Sequence, residues 1–121
     1  MAITIQAIET YLVGNGFTAR SDTNKKYKEL VHIASGERVY LNKAEPKVYS
    51  QLIVHPRHLN QRNRLLGLGH GIGSSQEKRF GSNLREFPKE MRNGSTACNY
   101  GVPFGFDSVT SLSVFVKDRF G

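Results

Sequence analysis

The sequence predicts an α+β domain: an antiparallel sheet of three to four strands, a helix from each end of the chain on one of its faces, and a long basic, Gly-rich loop. Three observations lead there. Apolar residues recur at helical spacing at both ends of the chain, β-branched and aromatic runs separated by turn residues occupy its first half, and no periodicity survives between Pro56 and Asn83. At 121 residues, 38% of them hydrophobic and 22% charged, the chain suits one domain spanning residues 1–121.

Ile5, Ile8 and Leu12 follow Thr4, an N-cap residue, and Gly14 or Gly16 supplies a stop, so a short first helix is expected. Phe17 to Ser21, Lys26 to Ala34 and Arg38 to Leu41 read as a meander whose turns are Asp22-Thr23-Asn24 and Ser35-Gly36. A fourth strand, Val48 to His55, is bounded by Pro46 and Pro56, which cannot donate to a central ladder. The stretch GLGHGIGSS, with Gly at alternate positions, leaves Pro56 to Asn83 as a loop expected to be the most mobile part of the chain. Leu84 to Met91 has room for a turn or two of helix before Pro88 limits it. Ser108 then caps a closing helix with Val109, Leu112, Phe115, Val116 and Phe120 on one face, and with Lys117 and Arg119 at its negative end. The expected core is Ile5, Ile8, Leu12, Val31, Ile33, Val39, Leu41, Ile53, Leu112, Phe115 and Val116. The sheet face away from the helices is left to solvent or a partner.

Charge is the strongest functional signal. Seventeen Lys and Arg against ten Asp and Glu give +7, and Lys43 to Arg92 alone holds ten basic and four acidic side chains, a net of +6. No apolar run is long enough to span a bilayer, and the first residues lack the features of a signal peptide, so a cytoplasmic chain with no membrane partner is expected. The lone Cys98 makes no internal disulfide, no CxxC pair exists to hold zinc, and no family signature surrounds that thiol. The acids are scattered where a metal-dependent nuclease would cluster them, and HPRH at His55 to His58 is not HExxH. GLGHGIG fails the dinucleotide fingerprint because Ile72 stands where the third Gly belongs, and no Gly-Lys-Ser/Thr follows to make a Walker loop. No cofactor or metal is expected.

Two readings of the histidines stay open. His55 and His58 beside Arg57 could serve as general base and acid on an RNA phosphodiester while the guanidinium neutralises developing charge. Alternatively, His55 merely ends a strand and His58 sits in a solvated loop.

Three collinear blocks carry a family likeness: GERVYLNK (Gly36 to Lys43), LIVHP (Leu52 to Pro56) and YGVPFGFDS (Tyr100 to Ser108) before a final helix ending RFG. On these, and on the NGF after the first helix, the chain resembles the YgaC-like family of small bacterial proteins. The resemblance implies an α+β domain and brings no activity. The chain departs from the pattern in its enlarged basic loop, Arg57 to Arg79, and in lacking His near Tyr100 and at Phe104. The order helix, NGF, strand meander, helix is also similar to HicA-type RNase toxins and double-stranded RNA-binding domains, although NKKYKE stands near the place of the toxins' Gly-Ser-His segment. In the YGVPFGF block, Pro103 is expected to fix the chain, Gly101 and Gly105 to permit unusual backbone angles, and the aromatics to pack.

The expected function is non-specific binding of RNA or DNA backbone by Lys25, Lys26, Lys28, Arg57, His58, Arg62, Arg64, His70, Lys78 and Arg79, with Tyr27 or Tyr49 stacking on an unpaired base. The alternatives are a regulator or inhibitor that engages an acidic protein partner, and a metal-independent RNase using His55, His58 and Arg57.

Overall fold

The computed structural model describes residues 2–20, 26–43, 49–68, 71–92, 94 and 96–121. The elements run α1 (Ile5–Val13), β1 (Phe17–Ala19), β2 (Tyr27–His32), β3 (Arg38–Asn42), β4 (Leu52–Val54), a 3-10 turn (Pro56–Gln61), α2 (Arg62–Gly67), β5 (Ile72–Gly73), β6 (Arg79–Phe80), β7 (Lys89–Arg92), β8 (Thr96–Phe106) and α3 (Val109–Phe120). The sheet is antiparallel with eight strands, in the order β1-β2-β3-β4-β8-β5, and β6 and β7 also pair with β8. Counted over the described residues, it is larger than the three to four strands expected.

Local chemistry sets the helices. The Thr4 hydroxyl accepts from the Ala7 N–H at 3.0 Å, and Ser108 and Ser111 close a reciprocal capping box, so both N-termini satisfy donors that would otherwise be orphaned. Each helix then turns an apolar stripe onto the sheet. Ile8, Leu12, Leu112, Phe115 and Val116 pack with Leu30, Val39, Leu41, Leu52, Val54, Val102, Phe104 and Phe106 in one cluster.

The largest correction concerns β8. Eleven residues long, it includes the whole YGVPFGF block and pairs with β4 through Val102–Phe104, with β5 through Gly105–Phe106, with β6 through Tyr100–Gly101 and with β7 through Thr96–Asn99. Among the described residues Pro103 pairs with β4 alone, so its missing N–H is accommodated without leaving two ladders short. Gly101 and Gly105 do not adopt positive φ. They are glycines because the chain comes too close: a Cβ on Gly105 would sit 2.3 Å from Tyr49 Cα, and one on Gly101 2.6 Å from Ile53 Cγ2. The unusual backbone belongs to Tyr49 itself, at φ 67°.

The opposite face of the sheet is not bare. Tyr27, Tyr40 and Ile53 form a second small core with Leu84 and Phe87, which the 81–88 segment folds across them. Residues 84–91 therefore make a covering turn and a strand in place of the expected helix, and the Phe87 carbonyl accepts from the buried Asn99 side chain at 2.7 Å. The Tyr40 hydroxyl fastens this cover by donating to Glu29 Oε1 at 3.0 Å and accepting from the Glu86 N–H at 3.1 Å. Burial, reinforced by Glu29, pushes this phenol far above its ordinary pKa.

Within the expected loop, Pro56 to Asn83, the chain instead builds the 3-10 turn, α2, β5 and β6. Leu65 and Ile72 from that stretch enter the main core. Two expected core residues do not: Ile33 lies past the end of β2 and is 66% exposed, and Val31 is half-buried because it alternates onto the face away from the helices. Ile5 is also only half-buried, packed at the margin of the core.

Two substitutions check this architecture. Phe115→Ala removes a fully buried ring that packs on Phe104 and Phe106, and is expected to lower the unfolding free energy by roughly 3–5 kcal/mol in a urea titration. Gly105→Ala adds one methyl and is expected to cost about 1–3 kcal/mol or more, since backbone and not a movable side chain stands in its way.

Candidate nucleic-acid interface

The cations singled out in the sequence do not form one strip. Three of the expected residues gather around the C-terminal end of α3. Arg64 makes a two-pronged bond to Asp118, at 2.9 and 2.7 Å, and its Nε donates to Gln61. His58 packs against Phe120 with ring centroids 5.6 Å apart, and Arg57 reaches Glu37 through its Nε. Lys78 and Arg79 belong elsewhere. Lys78 Nζ lies 2.5 Å from Glu90 on β7 and 5.6 Å from the Tyr100 ring, while Arg79 donates to the Tyr27 hydroxyl at 3.0 Å and to Ser50 at 3.3 Å. Arg62 is half-buried and donates to the hydroxyl and carbonyl of Ser74. Lys28 is bonded to Glu9 of α1 at 2.7 Å, and Lys26 is exposed at the start of β2. Lys25 and His70 lie outside the described residues.

The four described ion pairs in this set, Lys28–Glu9, Arg57–Glu37, Arg64–Asp118 and Lys78–Glu90, leave those cations already neutralised. A phosphate would have to displace a carboxylate to use them. Hydrogen bonds from Arg64 and Lys78 hold the Asp118 and Glu90 carboxyls below their ordinary pKa values, so those acids stay charged and engaged at neutral pH.

The histidines do not form a pair open to substrate. His58 is 0% exposed, and its Nε2 meets Glu37 Oε2 at 2.7 Å. That network fits an imidazole with its proton on Nε2, donating to the carboxylate, while Nδ1 has no hydrogen-bond partner beside the Phe120 ring. His55 Nδ1 accepts the Arg57 N–H at 2.9 Å and caps the 3-10 turn, with the ring edge-on to Phe87. The solvated loop position expected for His58 is thus replaced by a buried one, while His55 stays half-exposed. Tyr27, expected as a stacking ring, is 6% exposed in the second core. Tyr49 is half-buried, its hydroxyl donating to Asp107 at 3.3 Å.

Two cations that sequence reasoning counted only in the total stand out instead. Arg85 and Lys89 are exposed on either side of Phe87-Pro88, and neither has a carboxylate partner among the described residues. Their acidic neighbours are drawn away: Glu86 lies 3.6 Å from Arg38, and Glu90 pairs with Lys78. The only hint in the sequence is the alternation REFPKE, which looks self-neutralised until the long-range partners of both glutamates are known.

Other chemistry is thinly represented. Among the described residues no group of three or more His, Cys, Asp or Glu is placed to hold a metal ion, and no helix is long and apolar enough to cross a membrane. An open groove of about 470 Å³ between α1 and Val109 is lined by Thr4, Gln6, Ala7, Thr10 and Tyr11, which offer hydroxyls and an amide but no charge. Cys98 is a half-buried free thiol. No family model matches the chain, and no curated protein matches it.

The Glu37 cluster makes a pH prediction. Burial acts to raise the Glu37 pKa, but hydrogen bonds from His58 and Arg57 outweigh it and hold the carboxyl below its ordinary value. Burial lowers the His55 pKa. A depressed carboxyl contributes stability that is present above its unfolded pKa and lost as pH falls through the folded one. A depressed imidazole costs stability once pH drops below about 6.5, where the unfolded chain takes up a proton that the folded chain refuses. Both signs agree, so the urea midpoint should fall steadily on acidification from neutral pH. Glu37→Gln is expected to lower the midpoint at pH 7 and to flatten the part of the decline below about pH 5.

Proposed function

We propose that this protein binds the phosphate backbone of nucleic acid without strong sequence preference, and that Arg85 and Lys89 carry the contact. The observation behind this reading is the uneven pairing of charge: Arg57, Arg64 and Lys78 of the expected loop are bonded to carboxylates within the fold, while these two exposed cations have no carboxylate partner among the described residues. A phosphate can approach them without breaking an existing ion pair. They project from the turn that covers the second core, whose anchors Leu84 and Phe87 are buried, so the charges are presented from a fixed support. The overall charge of +7 draws a polyanion toward the molecule and adds to the rate of encounter. Neither long helix, α1 or α3, supplies a row of Arg, Asn or Gln for base edges, in keeping with backbone recognition. Cleavage by a histidine pair has no comparable support, because His58 has no surface through which to meet a substrate.

Titration of a fluorescent oligonucleotide at several salt concentrations tests the assignment. Replacing both Arg85 and Lys89 by Ala is expected to weaken binding and to shallow the log-log salt slope by roughly 0.7–0.9 per charge removed. Replacing Arg57 and Arg64 is expected to lower the melting temperature while changing that slope far less. The reverse ranking, or an absence of binding to any oligonucleotide at low salt, would defeat the proposal. In the latter case a nuclease-treated pull-down would show whether an acidic protein is retained instead.

A further inference from the structure

Two strands that each pair with one neighbour among the described residues, β7 and β1, differ in character. At the β8 end, β7 carries Lys89, Glu90 and Arg92, the charged sequence with which edge strands discourage pairing. At the start of the strand order, β1 reads Phe17-Thr18-Ala19, with no charge and no proline, and among the described residues it pairs with β2 alone. Thr18 and Ala19 are exposed.

The ladder to β2 fixes which of its backbone groups are left over. Ile33 donates to the Gly16 carbonyl and Arg20 donates to the Glu29 carbonyl, each at 2.9 Å, with Thr18 opposite Val31 between them. Antiparallel alternation then turns the N–H and C=O of Thr18 toward β2 and those of Phe17 and Ala19 outward. Those outward groups are separated by one residue, and that spacing is self-complementary. Placed antiparallel about a two-fold axis at Thr18, two copies set Phe17 of each opposite Ala19 of the other and make four N–H···O=C bonds. Thr18 then faces its own counterpart at the narrow, non-hydrogen-bonded position, where Thr–Thr pairs are favourable.

We propose that the β1 edge is the docking site for a second copy of this chain, forming a symmetric dimer through a continuous sheet. Charge permits the approach: residues 1–42 carry five basic and four acidic side chains, whereas the excess of +6 lies in residues 43–92. Arg20, at the end of β1, is 3.5 Å from Glu29 of its own chain and adds little repulsion. Ile33, the most exposed large hydrophobic at 66%, is bonded to Gly16 at the end of the same edge. β7 pairs with β8 and not with β1, so a dimer joined through the β1 backbone keeps two copies of Arg85 and Lys89, one from each chain.

Sedimentation of the full chain over a range of concentrations should show a monomer–dimer equilibrium. Thr18→Lys sets two ammonium groups face to face and is expected to weaken it by about tenfold or more, with the melting curve of the dilute protein unchanged because residue 18 is exposed. In a Cys98→Ser background, Thr18→Cys should form a disulfide-linked dimer under oxidised glutathione, and Lys89→Cys should not. A chain that stays monomeric throughout, a dimer indifferent to Thr18→Lys, or crosslinking at residue 89 as fast as at residue 18 would each overturn the proposal.

Discussion

β8 has to present Val102, Phe104 and Phe106 to two helices while Tyr49, Ile53 and Phe87 press against its other side. Only residues with little or no side chain on that second side make both contacts possible. The alternation of Gly101, Pro103 and Gly105 with large apolar residues is therefore the constraint on which the molecule rests. Four strands hydrogen-bond to β8, and the ring stack of Phe104, Phe106 and Phe115 ties it to α3. The cost of glycine in a strand interior is offset by the close packing it allows.

That same alternation explains which parts of the fold were legible. The caps at Thr4 and Ser108 and the β2–β3 hairpin are local features, and local chemistry reveals them. The block GVPFGF carries three residues that disfavour strands, so read alone it looks like a packed turn; the contacts that make it a central strand come from residues about 50 positions away. β5 and β6 have two residues each and α2 has six, too few to show any period. Tertiary pairing with β8, and the burial of Leu65 and Ile72, organise a stretch whose composition suggests a flexible linker.

The candidate site was less legible still. Sequence counts charges but does not reveal which of them cancel. Lys28 finds Glu9 across 19 residues, Arg57 finds Glu37 across 20, and Arg64 finds Asp118 across 54. Once those pairs form, the accessible charge shifts from the Gly-rich region to the cover over the second core, where Tyr40 holds the turn by a hydroxyl bonded on both sides. The surroundings of the two histidines were hidden for a related reason. His55 and His58 are near in sequence because they shape one 3-10 turn, with His55 capping it and His58 buried on Glu37.

The position of β8 and α3 at the end of the described order bears on how the chain is made. Synthesis on the ribosome delivers β1 to β4 first, and their apolar face, Leu30, Val39, Leu41, Leu52 and Val54, lacks the aromatic cover of Phe104, Phe106 and Phe115 until residues 102–116 emerge. At typical elongation rates of about 5–20 residues per second, that leaves β4 without its second neighbour for several seconds. Between the completion of β4 and the arrival of Val102 the nascent sheet is thus open along one side, and its closure waits on a single late strand.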